Sequence, residues 1–257
     1  MPKTSRDGSL RTRVNRGDAF WLLVHTAFGE RENGAGESDG DVLALPLSAD
    51  QFADVSTLVP ATCEPYLVMD RFCLALPWNN DHLRQETLNG FFRWLGRDYE
   101  RFIEVPRNIE NIAVLVELLG LTPPAVIADF GCGSGLAYSI CSMVGYSIVG
   151  IDTCPVMREL ASARGMRTFS PVDFSTTDIV LDGVISSYVL HFGLEELSVS
   201  LCWSRLRRGG VFVANVHKAQ GLERALAQFT HLKGRVLSVG LRAGMERHGI
   251  YLQVEKL

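Results

Sequence analysis

From about residue 122 to the end of the chain, short apolar runs alternate with segments whose apolar residues recur at helical spacing. "AVIADF", "SIVGID", "RTFSPVD", "DGVISSYVL" and "VFVANV" read as five successive strands. Between them, "SGLAYSICSMVG", with Ser134 near its start, and "CPVMRELASARG" read as helices. The second has Pro155 at its beginning and Gly165 just past its end, the asymmetry expected of helix termini. "LEELSVSLCWSRLRRGG" reads as a helix closed by glycines, and "LERALAQFTH" as another. "GRVLSVG" and "GIYLQVEKL" finish the chain as strands. Strand and helix in this rhythm predict right-handed crossovers and an α/β, doubly wound, mostly parallel sheet.

Residues 1–105 lack that rhythm and predict a mostly helical N-terminal cap beside an α/β domain over 106–257. "DAFWLLVHTAFG" reads as an apolar helix, "ERENGAGESDGD" as an exposed loop, and "SADQ" at 48–51 as a capping box opening a helix. "EPYLVMDRFCLAL", "DHLRQETLNGFFRWLGRDYERF" and "NIENIAVLVELLG" read as three more helices.

Composition narrows the function classes. Hydrophobic residues make up 47% of the 257, enough for a core, and the net charge of −4 gives no broad reason to bind nucleic acid or an anionic membrane. The basic N-terminal residues Lys3, Arg6, Arg11, Arg13 and Arg16 read as a solvated tail. No apolar run is long enough to span a membrane, and "MPKTSRDGSL" lacks a leader's apolar core. The six cysteines are scattered, without metal-ligand spacing, which predicts a reduced cytoplasmic protein and no metal site.

The candidate chemistry lies in "ADFGCGSG", residues 128–135. A glycine turn from the first strand into the first helix is where open α/β sheets bind ligands. The third glycine comes one residue too early for a dinucleotide fingerprint, and no lysine completes a phosphate loop. Asp129 at the strand tip repels a pyrophosphate but attracts an ammonium or a sulfonium. Asp152, ending the second strand, stands where a carboxylate accepts ribose hydroxyls, and it also fits a helix cap.

"ADFGCGSG", "VGIDTCPVMRELASARG", "FSPVDF", "LDGVISSYVLHF" and "LRRGGVFVANV" resemble, in order and spacing, the class I S-adenosylmethionine-dependent methyltransferases over about residues 122–217. The resemblance implies a Rossmann-like seven-stranded sheet whose last strand is antiparallel, with S-adenosylmethionine as cofactor. By position it implies that Asp129 and Gly131 lie near the methionine amino group, with Gly133 allowing close backbone approach. It gives Asp152 the ribose, Thr153 and Met157 the adenine edge, Asp173 the adenine amino group and the Phe174 backbone a ring nitrogen. Ser186 and Ser187 flank the methionine arm. A Tyr-Asp pair found upstream in many relatives stands here reversed, as Asp98-Tyr99, so no role passes to Tyr99.

Strand four lacks the Asn/Asp-Pro-Pro-aromatic signature of base amine methylation, and no Pro-Cys nucleophile follows it. "SSYVLHF" resembles the form in methyltransferases of small molecules and quinones. The expected function is in-line methyl transfer to an oxygen, nitrogen or carbon of a small organic acceptor. Tyr188 and His191 are the candidates for a base or for orienting the acceptor. An RNA or protein methyltransferase and a non-catalytic cofactor-binding relative remain as alternatives, and oligomeric state is not legible.

Overall fold

The computed structural model describes residues 20–28, 37–39, 41–192 and 196–257. The basic N-terminal residues and most of the 30–41 loop lie outside the described residues.

The described residues begin with strands, and here the helical reading of the N-terminal region is corrected. β1 (Phe20–His25), β2 (Glu37–Asp39), β3 (Val42–Leu47), α1 (Ala49–Ala53), β4 (Cys63–Val68) and β5 (Phe72–Pro77) build a five-stranded sheet in the order β2-β3-β1-β5-β4. α2 (Asp81–Leu95) and the short α3 (Tyr99–Phe102) follow. "FWLLVH" is a strand because both of its faces are covered. Trp21 and Leu23 pack with Phe72, Leu74, Phe91 and Trp94 beneath α2, while Leu22 and Val24 pack with Cys73, Ala75 and Val55 on the opposite face. "EPYLVMDRFCLAL" is a hairpin of β4 and β5, paired from Cys63↔Pro77 to Val68↔Phe72. Pro65 is tolerated because β4 lies at the sheet edge. The "SADQ" capping box is present at α1, with Ser48 and Gln51 capping each other's backbone N–H groups.

α4 (Val105–Leu119) leads into the α/β unit: β6 (Ala125–Phe130), α5 (Ala137–Val144), β7 (Tyr146–Ile151), α6 (Pro155–Ala163), β8 (Arg167–Phe169), α7 (Pro171–Ser175), β9 (Leu181–Ser186), α8 (Glu196–Arg205), β10 (Leu206–Val216), α9 (Ala219–His231), β11 (Gly234–Gly240) and β12 (Ile250–Lys256). These strands form a seven-stranded sheet in the order β11-β12-β10-β9-β6-β7-β8, with β12 antiparallel to both neighbours and β6 to β10 mutually parallel.

Alternation along each strand feeds two cores. Ile127, Ile185 and Val213 face Ile112, Leu115 and Leu119 of α4 and Ile140 and Cys141 of α5. Ala128, Val184, Phe212 and Ala214 face Phe174, Cys202, Trp203 and Phe229 of α7, α8 and α9. Three boundaries differ from the sequence reading. "SPVD" forms a capped helical turn, "LRRGG" begins β10, and α5 starts at Ala137, beyond Ser134.

Candidate functional site

β6 carries Asp129 to the C-terminal edge of the sheet, where the chain turns through Gly131, Gly133 and Gly135 at φ +75°, +51° and +81°. Left-handed backbone of this kind favours glycine. The Gly131 and Cys132 N–H groups donate to the Ile151 carbonyl at 2.8 and 3.2 Å, tying the loop to the end of β7. Asp152, the next residue there, accepts from the Gly133 N–H at 2.9 Å and from the Cys154 N–H at 2.8 Å. Cys154, not Asp152, is the N-cap of α6, so the capping reading is corrected, while two of the Asp152 carboxylate's roughly four acceptor positions remain for a ligand.

A cavity of about 110 Å³ lies beside this loop, walled by Gly131, Gly133, Asp152, Thr153 and Met157 together with residues of α2. A β-carbon built on Gly133 meets nothing nearer than the Tyr99 hydroxyl, at 3.8 Å, so the glycine keeps that wall open. Burial, and then the neighbouring Asp152, push the Asp129 carboxyl up to about 7. Burial also raises Asp152, against its two backbone N–H donors and Arg158. The buried Asp129 and the half-buried Asp152 put two carboxyl groups at one glycine loop, an acidic site that favours a cation. These residues fit a ligand with an ammonium or sulfonium and a hydroxyl pair, and they oppose a phosphate.

Thr153 is reached from the N-terminal unit. Its hydroxyl donates to Asn89 Oδ1 at 2.6 Å and accepts from Gln85 Nε2 at 3.0 Å, both on α2. Met157 is buried in the cavity wall. The structure does not bring Asp129, Asp173, Phe174 and Ser186 to that wall; Asp129 is buried at the end of β6, behind the glycine loop. Asp173 is exposed, accepts from the Ser170 hydroxyl at 2.6 Å and belongs to the cap of α7. The Phe174 ring lies in the core, and its N–H donates to the Ser170 carbonyl at 2.9 Å. Ser186 is turned inward, donating to the Phe130 carbonyl at 3.1 Å, so the next residue, Ser187, lines the cavity instead.

A second, larger cleft of about 1120 Å³ opens between β4 and the C-terminal ends of β9 and β10. Phe92, Tyr99, Asn108, Tyr188 and Phe192 border both spaces. Its walls are aromatic: the Tyr66 and His191 rings are stacked with centroids 6.0 Å apart, and Tyr188 and His217 are stacked at 4.9 Å. The Lys218 ammonium sits 3.3 Å from the centre of the Tyr66 ring. His191 lies in this wall with its Nδ1 buried and without a hydrogen-bond partner among the described residues. Burial, with His217 and Lys218 nearby, brings its pKa down to about 3. The ring is therefore neutral and only weakly basic.

Tyr188 is differently held. It adopts φ +59°, its N–H donates to Asn215 Oδ1 at 2.9 Å, and its hydroxyl pairs with His248 Nδ1 at 2.5 Å. Sequence reasoning missed His248 and Glu110, which have no local motif, and set Tyr99 aside because its pair is reversed. The α2 contributors Gln85, Asn89 and Phe92 were hidden in an amphipathic helix pattern.

Residues 128–214 match a family described as "Methyltransferase domain". The mitochondrial ubiquinone biosynthesis O-methyltransferase of Rattus norvegicus is 30% identical over 110 residues, covering 37% of this chain and 31% of the relative. Its Mus musculus counterpart is also 30% identical over 110 residues, covering 37% and 29%. The chain thus spans about a third of the length of these curated relatives. Among solved structures, the Burkholderia thailandensis 1,6-didemethyltoxoflavin-N1-methyltransferase, with 1,6-didemethyltoxoflavin and S-adenosylhomocysteine bound, superposes with a TM-score of 0.57. It shares 18% identity and covers 75% of this chain and 99% of that one. An S-adenosylmethionine-dependent methyltransferase fold from Methanococcus maripaludis gives a TM-score of 0.51 at 12% identity, covering 71% and 97%. At these identities the structures speak for the fold alone.

Proposed function

Since its α/β domain belongs to the class I S-adenosylmethionine-dependent methyltransferases, we propose that this protein methylates a hydroxyl oxygen of a small, planar organic acceptor. One observation carries the reading. The acidic cavity at the glycine loop and the aromatic cleft share a wall, and Tyr188 stands in it. The choice of oxygen draws support from the two curated O-methyltransferase relatives.

When bound, S-adenosylmethionine supplies a methyl group already activated on a sulfonium. The chain's own task is to bind, align and exclude water. Asp129 would meet the methionine ammonium and Asp152 the ribose hydroxyls, with Thr153 and Met157 at the adenine edge. Stacked rings in the cleft suit a flat acceptor, and Lys218 would face an acidic substituent on it. The N-terminal unit, to about residue 105, would serve as the cap over that acceptor. Six free, buried cysteines suit a reducing compartment, and we place the chain in the cytoplasm. Among the described residues no helix is long and apolar enough to cross a membrane.

The test is direct. The protein is incubated with S-adenosylmethionine and a panel of phenols, hydroquinones, aromatic amines and bulk RNA. S-adenosylhomocysteine is quantified, and mass spectrometry locates the methyl group. Methyl ethers of phenolic acceptors are expected. Transfer only to RNA or protein would overturn the reading.

A further inference from the structure

The residues around Tyr188 carry the argument beyond cofactor and acceptor. Its hydroxyl lies 2.5 Å from His248 Nδ1, and His248 Nε2 lies 3.2 Å from Glu110 Oε2. His248 is fully buried, whereas Glu110 is 42% exposed, and the Oε2 that faces His248 is also paired with the Arg247 guanidinium. A single side chain fixes both inner members: Asn215 accepts from the Tyr188 N–H at 2.9 Å and donates to the His248 carbonyl at 2.7 Å. Asn215 is itself held by Asn111 Nδ2 at 3.0 Å, and the Tyr251 hydroxyl donates to Asn111 Oδ1 at 2.8 Å. A buried, satisfied network of this kind orients its members closely.

We propose that Tyr188, His248 and Glu110 form a proton relay in which Tyr188 is the catalytic residue and His248 and Glu110 are positioning residues acting through it. The relay rests on the O-methyl reading above. As the acceptor oxygen attacks the methyl carbon, its proton passes to the Tyr188 oxygen and the Tyr188 proton passes to His248 Nδ1. The acceptor keeps its O–H bonding pair for the new O–C bond. The C–S pair stays with the departing sulfur, and the single positive charge ends on His248 beside Glu110. The logic is that of a hydroxyl, an imidazole and a carboxylate in series.

The charged and titratable groups facing this pair are Arg107 and Glu110 from α4, His217 after β10, Arg247 from the turn before β12, and Tyr251 from β12. Burial lowers the His248 pKa, Arg107 and Arg247 lower it further, and Glu110 opposes them. The imidazole is therefore neutral near pH 7 and free to take a proton. The relay demands one tautomer, with Nδ1 bare toward Tyr188 and Nε2–H toward Glu110, and it must hold against the Arg247 Nε–H, which stands 3.4 Å from Nε2 and favours the opposite one.

Nitrogen-15 NMR of the histidine-labelled full-length protein, with and without S-adenosylhomocysteine, reads that tautomer without any acceptor. The expected result is a bare Nδ1 at pH 7 whose resonance moves in Tyr188→Phe. With a phenolic acceptor, Tyr188→Phe and His248→Gln should each lower kcat by about 10² to 10⁴, cofactor affinity being unchanged. The double variant should fall no further than either single one. Glu110→Gln, at a half-exposed position, should fold normally and move the acid limb of the kcat profile to lower pH, because the carboxylate no longer favours the imidazolium. A protonated Nδ1, or wild-type kcat in Tyr188→Phe, overturns the relay and leaves methyl transfer standing. Absence of transfer to every phenol by the wild type overturns the acceptor reading instead, and the tautomer then decides the relay alone.

Discussion

Val189 packs so closely over Gly131 that a β-carbon on the glycine would stand 2.4 Å from the valine Cγ2. Gly133, two residues on, has open space at the same point, with Tyr99 as its nearest neighbour at 3.8 Å. The two glycines therefore separate a packing requirement from a ligand requirement. Gly131→Ala should cost about 1–3 kcal/mol from the clash and about 1 kcal/mol more from its positive φ. Gly133→Ala should show only the smaller backbone cost, yet lose affinity for S-adenosylhomocysteine by intruding on the cavity. Urea unfolding and calorimetric titration of both variants check the contrast.

Asp129 gives a pH dependence of defined sign. Its folded pKa, about 7, exceeds the ordinary value of 3.8, so the folded state holds the extra proton between those limits. Stability of the ligand-free protein should then fall as pH rises from about 4 to 7, by at most about 1.4 kcal/mol per unit from this group. Asp129→Asn should remove that slope, raise stability at pH 8 and weaken cofactor binding. Binding of a cation beside the carboxylate should release protons near pH 6, seen as buffer-dependent heats. Heats independent of the buffer would contradict the assignment.

Asp152 accepts from the glycine loop at Gly133 and, on the proposed reading, from the cofactor ribose. Replacing it with Ala removes the acceptor of two backbone N–H groups, and each lost partner should cost on the order of 1 kcal/mol of stability. The fold should survive, while S-adenosylhomocysteine affinity drops by about 1–3 kcal/mol. Unchanged affinity in a folded Asp152→Ala protein would remove this residue from the site.

His191 should behave as wall, not base. With its pKa near 3 it cannot produce a rate transition near neutrality. His191→Ala should raise the acceptor KM and leave kcat within about tenfold. A thousandfold loss at saturating acceptor would show the opposite.

Arg84 is nearly buried, pairing with Glu64 at 2.6 Å and donating to the Phe192 carbonyl at 3.2 Å. It thereby joins α2 to β4 and to the segment after β9. Arg84→Met strands the Glu64 charge and should destabilise the protein by about 3–5 kcal/mol. Thermal unfolding measures it, and the further change Glu64→Gln should recover much of the loss.

The α/β half of the fold was legible because its strands are short apolar runs separated by helical periods, capped by proline and glycine where helices start and stop. The N-terminal sheet was not. β1 is covered on both faces, so its apolar run carries no alternation to distinguish it from a buried helix. The β4–β5 hairpin turns through Met69 and Asp70 at φ +53° and +55°, conformations usually signalled by Asn-Gly or Asp-Gly. The site divides similarly. Gly131, Gly133, Asp152, Thr153 and Met157 lie on one continuous stretch, and they line one cavity. Ser186 missed the cavity by one residue because alternation along the strand decides which serine faces it. Tyr188 and His248 lie 60 residues apart, a distance no local motif bridges.

α2 packs Phe91 and Trp94 into the core of the N-terminal sheet while offering Gln85 and Asn89 to Thr153 at the smaller cavity. On the reading proposed above, in which the N-terminal unit caps the acceptor, that unit is not an interchangeable module. A lineage that acquired a new cap to reach new acceptors would have had to re-evolve part of its nucleoside pocket in the same step. Chimeras that swap residues 20–104 between relatives should accordingly inherit cofactor affinity from the cap donor as well as acceptor choice.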